Sequence, residues 1–170
     1  GIIAYVSNNV KGVRVSELDD DEVESLWFNI NPHRPKRPIL VGAIYRPPGS
    51  TADTDAKIES NIEAAYLRNQ EIYILGDFNM NYLDPVAYNN HRLVKALKSL
   101  NLTQVIKTVT RPISATCLDY VYTTNPSFIA KISVPNIGLA DHLPIFFRRK
   151  YCKQLKKIQV ITLSTVTSRI

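Results

Sequence analysis

Cysteine, long apolar runs and a signal-like start are what this chain lacks. Two cysteines, Cys117 and Cys152, are too few for a disulfide framework and fit a reducing, intracellular setting. No apolar stretch approaches the roughly 18 residues of a membrane span, so neither a transmembrane helix nor a membrane partner is expected. No initiator Met or signal-peptide layout opens the chain. "GIIAYV" reads as a strand entered midway, and the chain is expected to be N-terminally incomplete. Charge imbalance is absent from most of its length. The net charge is +6, but residues 142–170 hold seven Lys or Arg and no Asp or Glu, leaving fourteen basic against fifteen acidic residues in 1–141. A basic end can attract phosphate backbones or simply stay solvated as a linker. The body is no obvious nucleic-acid binder by charge alone.

What is present suits one soluble domain. The 170 residues are about one domain by length and enough to bury a core; 45% hydrophobic and 21% charged content is ordinary. Apolar, β-branched runs recur at 2–6, 12–15, 25–30, 38–45, 71–78, 117–123, 128–134 and 143–147. Turn signals separate them: Asn8-Asn9, "NPHRPKRP" and "RPPGS". Two segments carry helical periodicity. In 53–68, Ile58, Ile62, Ala65 and Tyr66 share a face, with Asp53 or Thr54 as the cap. In 90–100, Leu93, Leu97 and Leu100 do the same, with Lys95 and Lys98 outward. Strands broken by helices predict a layered α/β fold over 1–150. Residues 151–170 lose periodicity and read as a basic tail or linker.

Three short segments carry chemistry. "ILGDFNMN" (74–81) ends an apolar run in Gly76, Asp77 and, after Phe78, Asn79. Asp77 and Asn79 are two apart, so on a strand they leave on one side. A carboxylate there can bind a divalent metal or polarise water, although Asp and Asn also make plain turns. "SATCLDYVYT" (114–123) places Asp119 inside an apolar, aromatic strand, costly unless it caps a turn or has a partner such as an imidazolium. "ADHLPIFF" (140–147) supplies Asp141 and His142 just before a strand, pairing a carboxylate with a group that can be cationic near neutral pH. Bland readings suit the rest. "DDDE" (19–22) is a solvated bend, His33 and His91 are surface residues, Trp27 and Phe28 are core, and Cys117 is a small buried residue.

"AIYRPP", "GDFN", "SATCLDY" and "DHLPI", in this order, resemble the endonuclease/exonuclease/phosphatase superfamily. The likeness is nearest to the apurinic-endonuclease-like domain of LINE-type non-LTR retrotransposons. It implies a four-layer α/β/β/α sandwich (DNase I-like), here missing part of its N-terminal region. It also implies that Asp77 activates the attacking water with Asn79 as its hydrogen-bonding companion. His142 would contact the scissile phosphate, oriented by Asp119; Asp141 would lie at or near the metal; Tyr45 would touch phosphate; Ser114 and Thr116 would meet the DNA backbone. Mg²⁺ (or Mn²⁺) is the implied cofactor, held weakly because the family's metal-binding Glu has no counterpart. Glu17, Glu22 and Glu24 sit in the wrong order and context, and Ala140 replaces the usual Ser. The implied partner is DNA, with a reverse transcriptase domain in the parent protein and a nuclear setting. Three functions follow: an impaired DNA endonuclease, an inactive remnant of such an element, and a phosphatase acting on inositol phosphates or lipids.

Overall fold

In the computed structural model, residues 1–31, 38–68, 70–138 and 140–150 are described. The expected basic tail at 151–170, His33 and Cys152 lie outside them.

Among the described residues, eight strands and three α-helices follow one another. They are β1 (Lys11–Arg14), β2 (Ser25–Asn31), β3 (Ile39–Ile44), α1 (Ala52–Tyr66), β4 (Glu71–Asp77), α2 (Pro85–Asn90), α3 (Arg92–Ser99), β5 (Thr103–Gln104), β6 (Asp119–Thr123), β7 (Ile129–Ser133) and β8 (Phe146–Arg149). Six strands form one sheet in the order β1-β2-β3-β4-β6-β5, and β7 pairs with β8 in a second. Among the described strands only β3 and β4 run parallel, Ile39 opposite Glu71 through Ala43 opposite Leu75. Parallel neighbours need a crossover, and α1 supplies it.

The period-2 pattern of β4 sorts its residues between two layers. Ile72 and Ile74 face the helices. Trp27 on the same face is fully buried, and its indole Nε1 donates to Asn61 Oδ1 of α1 at 2.8 Å. Ile58, Ile62 and Ala65 of α1 and Leu93, Val94 and Leu97 of α3 fill this side of the core, each buried Ile, Leu or Val contributing about 1.5–3 kcal/mol. Tyr73 points the other way and stacks on Phe147 of β8, centroids 5.3 Å apart. Beside it, Arg149 donates to both carboxylate oxygens of Glu71. The second sheet therefore lies against the first on the face opposite the helices.

This is the expected mixed α/β sandwich, with three of the four anticipated layers among the described residues: helices, large sheet and small sheet. The two-stranded sheet stands over the β4 end, so Leu26 and Phe28 of β2 are only half-buried. Phe28 is thus less enclosed than its apolar context suggests. Helix starts also differ from expectation. Thr51, not Asp53 or Thr54, caps α1 by accepting the Thr54 N–H at 3.2 Å. The one-turn-and-a-half α2 carries no apolar repeat; Asp84 holds it by accepting from Val86 and Ala87 N–H, with Pro85 at the first turn where it needs no donor. The 2–6 run forms no named strand among the described residues. No helix there is long and apolar enough to cross a membrane.

Candidate active site

The site grows from the end of β4. Gly76 has φ +152°, and a Cβ there would lie 1.7 Å from the Ile44 carbonyl oxygen. Only glycine permits that closeness and that backbone. Past Asp77 the chain leaves the sheet, and Asn79 adopts a left-handed φ of +50°. The alternation that would put Asp77 and Asn79 side by side has ended. Instead, the Asn79 backbone N–H donates to Asp77 Oδ1 at 2.9 Å, while its side-chain amide donates to the Arg46 carbonyl at 2.9 Å. The hydrogen bond between Asn79 and Asp77 thus runs through the Asn79 main chain and not its side-chain amide.

Asp119 begins β6 and stands opposite Asp77 in the antiparallel register of β4 and β6. It is 8% exposed. Its backbone N–H donates to Thr110 Oγ1, and its Oδ2 lies 2.9 Å from His142 Nδ1. One ligand atom each from Asp77, Asp119 and His142 fall within 4.8 Å of one another. Three of the expected site residues therefore converge.

The electrostatics follow from this crowding. Burial pushes the Asp77 carboxyl up to about 6; the Asn79 N–H opposes the shift, and the Asp119 charge adds to it. The hydrogen bond to Asp119 raises His142 above its ordinary value, against partial burial. Like charges directly opposite on neighbouring strands repel, and here an imidazole sits between them. Two carboxylates and one imidazole are a donor set that a divalent cation would neutralise. The residues fit a metal by composition, although the Asp119 bond already occupies His142 Nδ1.

The other expected residues are placed differently. Asp141 is exposed and turned to Arg111, whose Nη2 lies 3.1 Å from its Oδ2. Slight burial works against the shift, but His142 and Arg111 hold its carboxyl below the usual range. Ser114 and Thr116 share a 2.7 Å hydroxyl contact on an exposed loop that turns at Ala115, φ +52°. That loop is closed by the Arg111–Thr116 bridge and docked on the His142 segment through Leu143 N–H to Thr110 O at 2.7 Å. Neither hydroxyl has a described contact with Asp77, Asp119 or His142. Tyr45 lines a cavity of about 290 Å³ with Asp21, Glu22, Val23, Glu24, Pro47, Thr54 and Ile58, and no described contact joins it to Asp77. Cys117 is buried, with its thiol pushed up to about 12 chiefly by that burial, as the small buried residue expected. His91 is not a free surface residue: its ring is 26% exposed and reaches Asp55 Oδ2 at 3.5 Å. Arg111 was missed in the sequence because one arginine in a polar loop has no distinguishing spacing.

No family model and no curated protein matches this chain in sequence. Solved structures do match. The endonuclease domain of TRAS1, a telomere-specific non-LTR retrotransposon, superposes with a TM-score of 0.68 at 13% identity, covering 84% of this chain and 68% of that one. The chain has the endonuclease/exonuclease/phosphatase fold. A 3′ phosphatase from Neisseria, NExo, bound to a product DNA hairpin, shares that fold at TM-score 0.56 and 13% identity, with 88% and 72% coverage. So does an endonuclease/exonuclease/phosphatase protein from Beutenbergia cavernae, at 0.53 and 15%, with 86% and 45% coverage. The chain spans about two-thirds of the TRAS1 domain and under half of the B. cavernae protein. In this fold, Asp77, Asp119 and His142 sit together at one end of the large sheet.

Proposed function

We propose that this chain is a metal-dependent phosphodiester hydrolase acting on DNA, of the non-LTR retrotransposon endonuclease type. The observation that carries the reading is the Asp119–His142 contact set against Asp77, three groups gathered from separate segments around one point.

Each group has a task that its surroundings equip it for. Asp77, with a pKa near 6, is ionised at neutral pH yet basic enough to take a proton from water. The Asn79 N–H holds one of its oxygens and leaves the other for that water. Asp119 holds His142 by Nδ1, which directs Nε2 outward and favours the imidazolium. That cation stabilises charge building on the phosphate oxygens. A divalent ion bound by Asp77 and Asp119 would add Lewis-acid stabilisation of the phosphate and leaving oxygen. Asp141 joins that set only by releasing Arg111. Ser114, Thr116 and Tyr45 would meet the DNA backbone on either side.

With two carboxylates and an imidazole as the metal-competent group among the described residues, Mg²⁺ is held weakly, because it favours oxygen ligands in near-octahedral geometry. Turnover is correspondingly slow. A reverse transcriptase in a longer parent is the partner this reading implies, with a nuclear setting. Nicking of supercoiled plasmid with Mg²⁺ or Mn²⁺, by the chain and by Asp77→Ala and His142→Ala, tests it. Nicking abolished by either substitution supports the reading. Equal background from all three proteins supports an inactive remnant instead.

A further inference from the structure

A buried charge pair stands directly behind the candidate site. Arg46, in the "YRPP" turn after β3, is 5% exposed, and Asp55, in the first turn of α1, is 6% exposed. Arg46 Nε donates to Asp55 Oδ1 at 2.6 Å and Nη2 to Oδ2 at 3.2 Å. His91 Nε2 lies 3.5 Å from both partners. A buried ion pair is rarely more stabilising than an apolar pair of similar volume. Stability alone is therefore a poor account of why it is here.

Arg46 does something more specific. Its backbone N–H donates to the Asp77 carbonyl at 2.9 Å. Its Nη1 donates to the Phe78 carbonyl at 3.3 Å. Its own carbonyl accepts the Asn79 side-chain amide at 2.9 Å. Three consecutive residues of the β4 tip are thus tied to one arginine. The chain needs such a tie, because it turns here through a left-handed Asn79, a conformation that persists only where surrounding bonds impose it. The same Asn79 orients the Asp77 carboxylate through its N–H.

We infer that Arg46 is a positioning residue: its guanidinium, fixed by Asp55, holds the Phe78 carbonyl and so keeps in place the main-chain N–H and carbonyl that bond Asp77 and Asn79, which sets the Asp77 carboxylate against Asp119 and His142. The side chain is too buried to meet substrate. Its loss therefore lowers kcat and leaves KM in place. The activity side of this inference rests on the proposed hydrolase reading; the clamp itself does not.

The test uses the full chain as Arg46→Lys and as the double variant Arg46→Met/Asp55→Leu. The double variant removes both charges together, so no ion is left buried alone and the fold is retained. Were Arg46 merely structural, this apolar pair would restore activity with stability. The clamp predicts instead that plasmid nicking stays about 10- to 100-fold below wild type in kcat, the loss expected of a catalytic group displaced by about an ångström. Backbone amide exchange at Arg46 and Asn79 should quicken about tenfold, with Ile74 and Tyr122 in the middle of the sheet unchanged. Arg46→Lys, which cannot span both Asp55 and Phe78, should show the same changes to a smaller degree, and decides the matter if the double variant does not fold. If the wild-type chain fails to nick DNA, the hydrolase reading falls and exchange alone judges the clamp. A folded variant with wild-type exchange at Arg46 and Asn79, or with wild-type kcat, would overturn it.

Discussion

Asp77 and Asp119 stand directly opposite one another on adjacent antiparallel strands, at the open end of the sheet. Two carboxylates in that register repel, and Asp77 is held up to about 6 chiefly by burial, with Asp119 contributing. The pair costs stability when ionised. On the proposed hydrolase reading, that cost is what would make the site receptive to a cation and Asp77 a usable base.

The stability cost has a definite sign. Asp77's folded pKa lies above its unfolded value, so destabilisation appears as pH rises through about 4 and is complete above about 6. Asp77→Asn removes it while keeping an acceptor for the Asn79 N–H. In chelator at pH 7.5 this variant should gain about 1 kcal/mol, discounted for screening at a partly open strand end, or roughly 2–4 °C in Tm. By pH 4 the two melting curves should coincide. A variant that melts below wild type at pH 7.5 would show that the carboxylate is favourably paired.

Activity should follow a bell-shaped pH profile. The ascending limb belongs to Asp77, which must lose its proton near pH 6. The descending limb belongs to His142, whose raised pKa keeps it cationic until pH passes above its ordinary value. Asp119→Asn removes the main cause of that rise. Its descending limb should move to lower pH in kcat/KM measured against pH, with the ascending limb moving the same way as repulsion on Asp77 is relieved. An unmoved descending limb would separate His142 from Asp119.

Gly76→Ala should be among the most damaging single changes in the chain. The added methyl meets the Ile44 carbonyl at 1.7 Å, and φ is +152°. Backbone strain and overpacking together should cost about 2–4 kcal/mol, read as a fall in the urea midpoint without a change in slope. Gly138→Ala, at φ +68° in open space, should cost less than half as much and serves as the control.

Arg111→Ala and Asp141→Ala should each change stability by less than about 1 kcal/mol, because their ion pair is exposed. Their effects on nicking should diverge. Freeing Asp141 from Arg111 leaves it available beside His142, so Arg111→Ala should lower the Mn²⁺ concentration needed for half-maximal rate. Asp141→Ala should raise it. Equal shifts in one direction would remove Asp141 from the metal site.

The local texture of the chain was enough to mark the pieces. A β-branched run ending in Gly76-Asp77 reads as a buried strand with a carboxylate at its tip, although by itself the Asp-x-Asn pair reads equally as a plain turn. Asp119 inside an aromatic strand demanded a partner, and a histidine just ahead of another strand was the available one; the 2.9 Å contact is that pairing. The apolar spacing of Ile58, Ile62 and Ala65 likewise defined α1, because periodic burial is a short-range property. Long-range relations were a different matter. Which strand lies beside β4, and therefore that Asp119 faces Asp77, depends on pairing between segments far apart in the chain. The turn at Asn79 sent its amide to Arg46 rather than along the strand face, since the strand ends at Asp77. Asp141 went to Arg111, and Tyr45 to a separate cavity, because loop side chains take whatever partner the packed chain brings within reach. Sequence determined the strands, the main helices and the chemical groups; the packing of sheet on helix decided which groups meet, because contact between distant residues exists only once the core has closed.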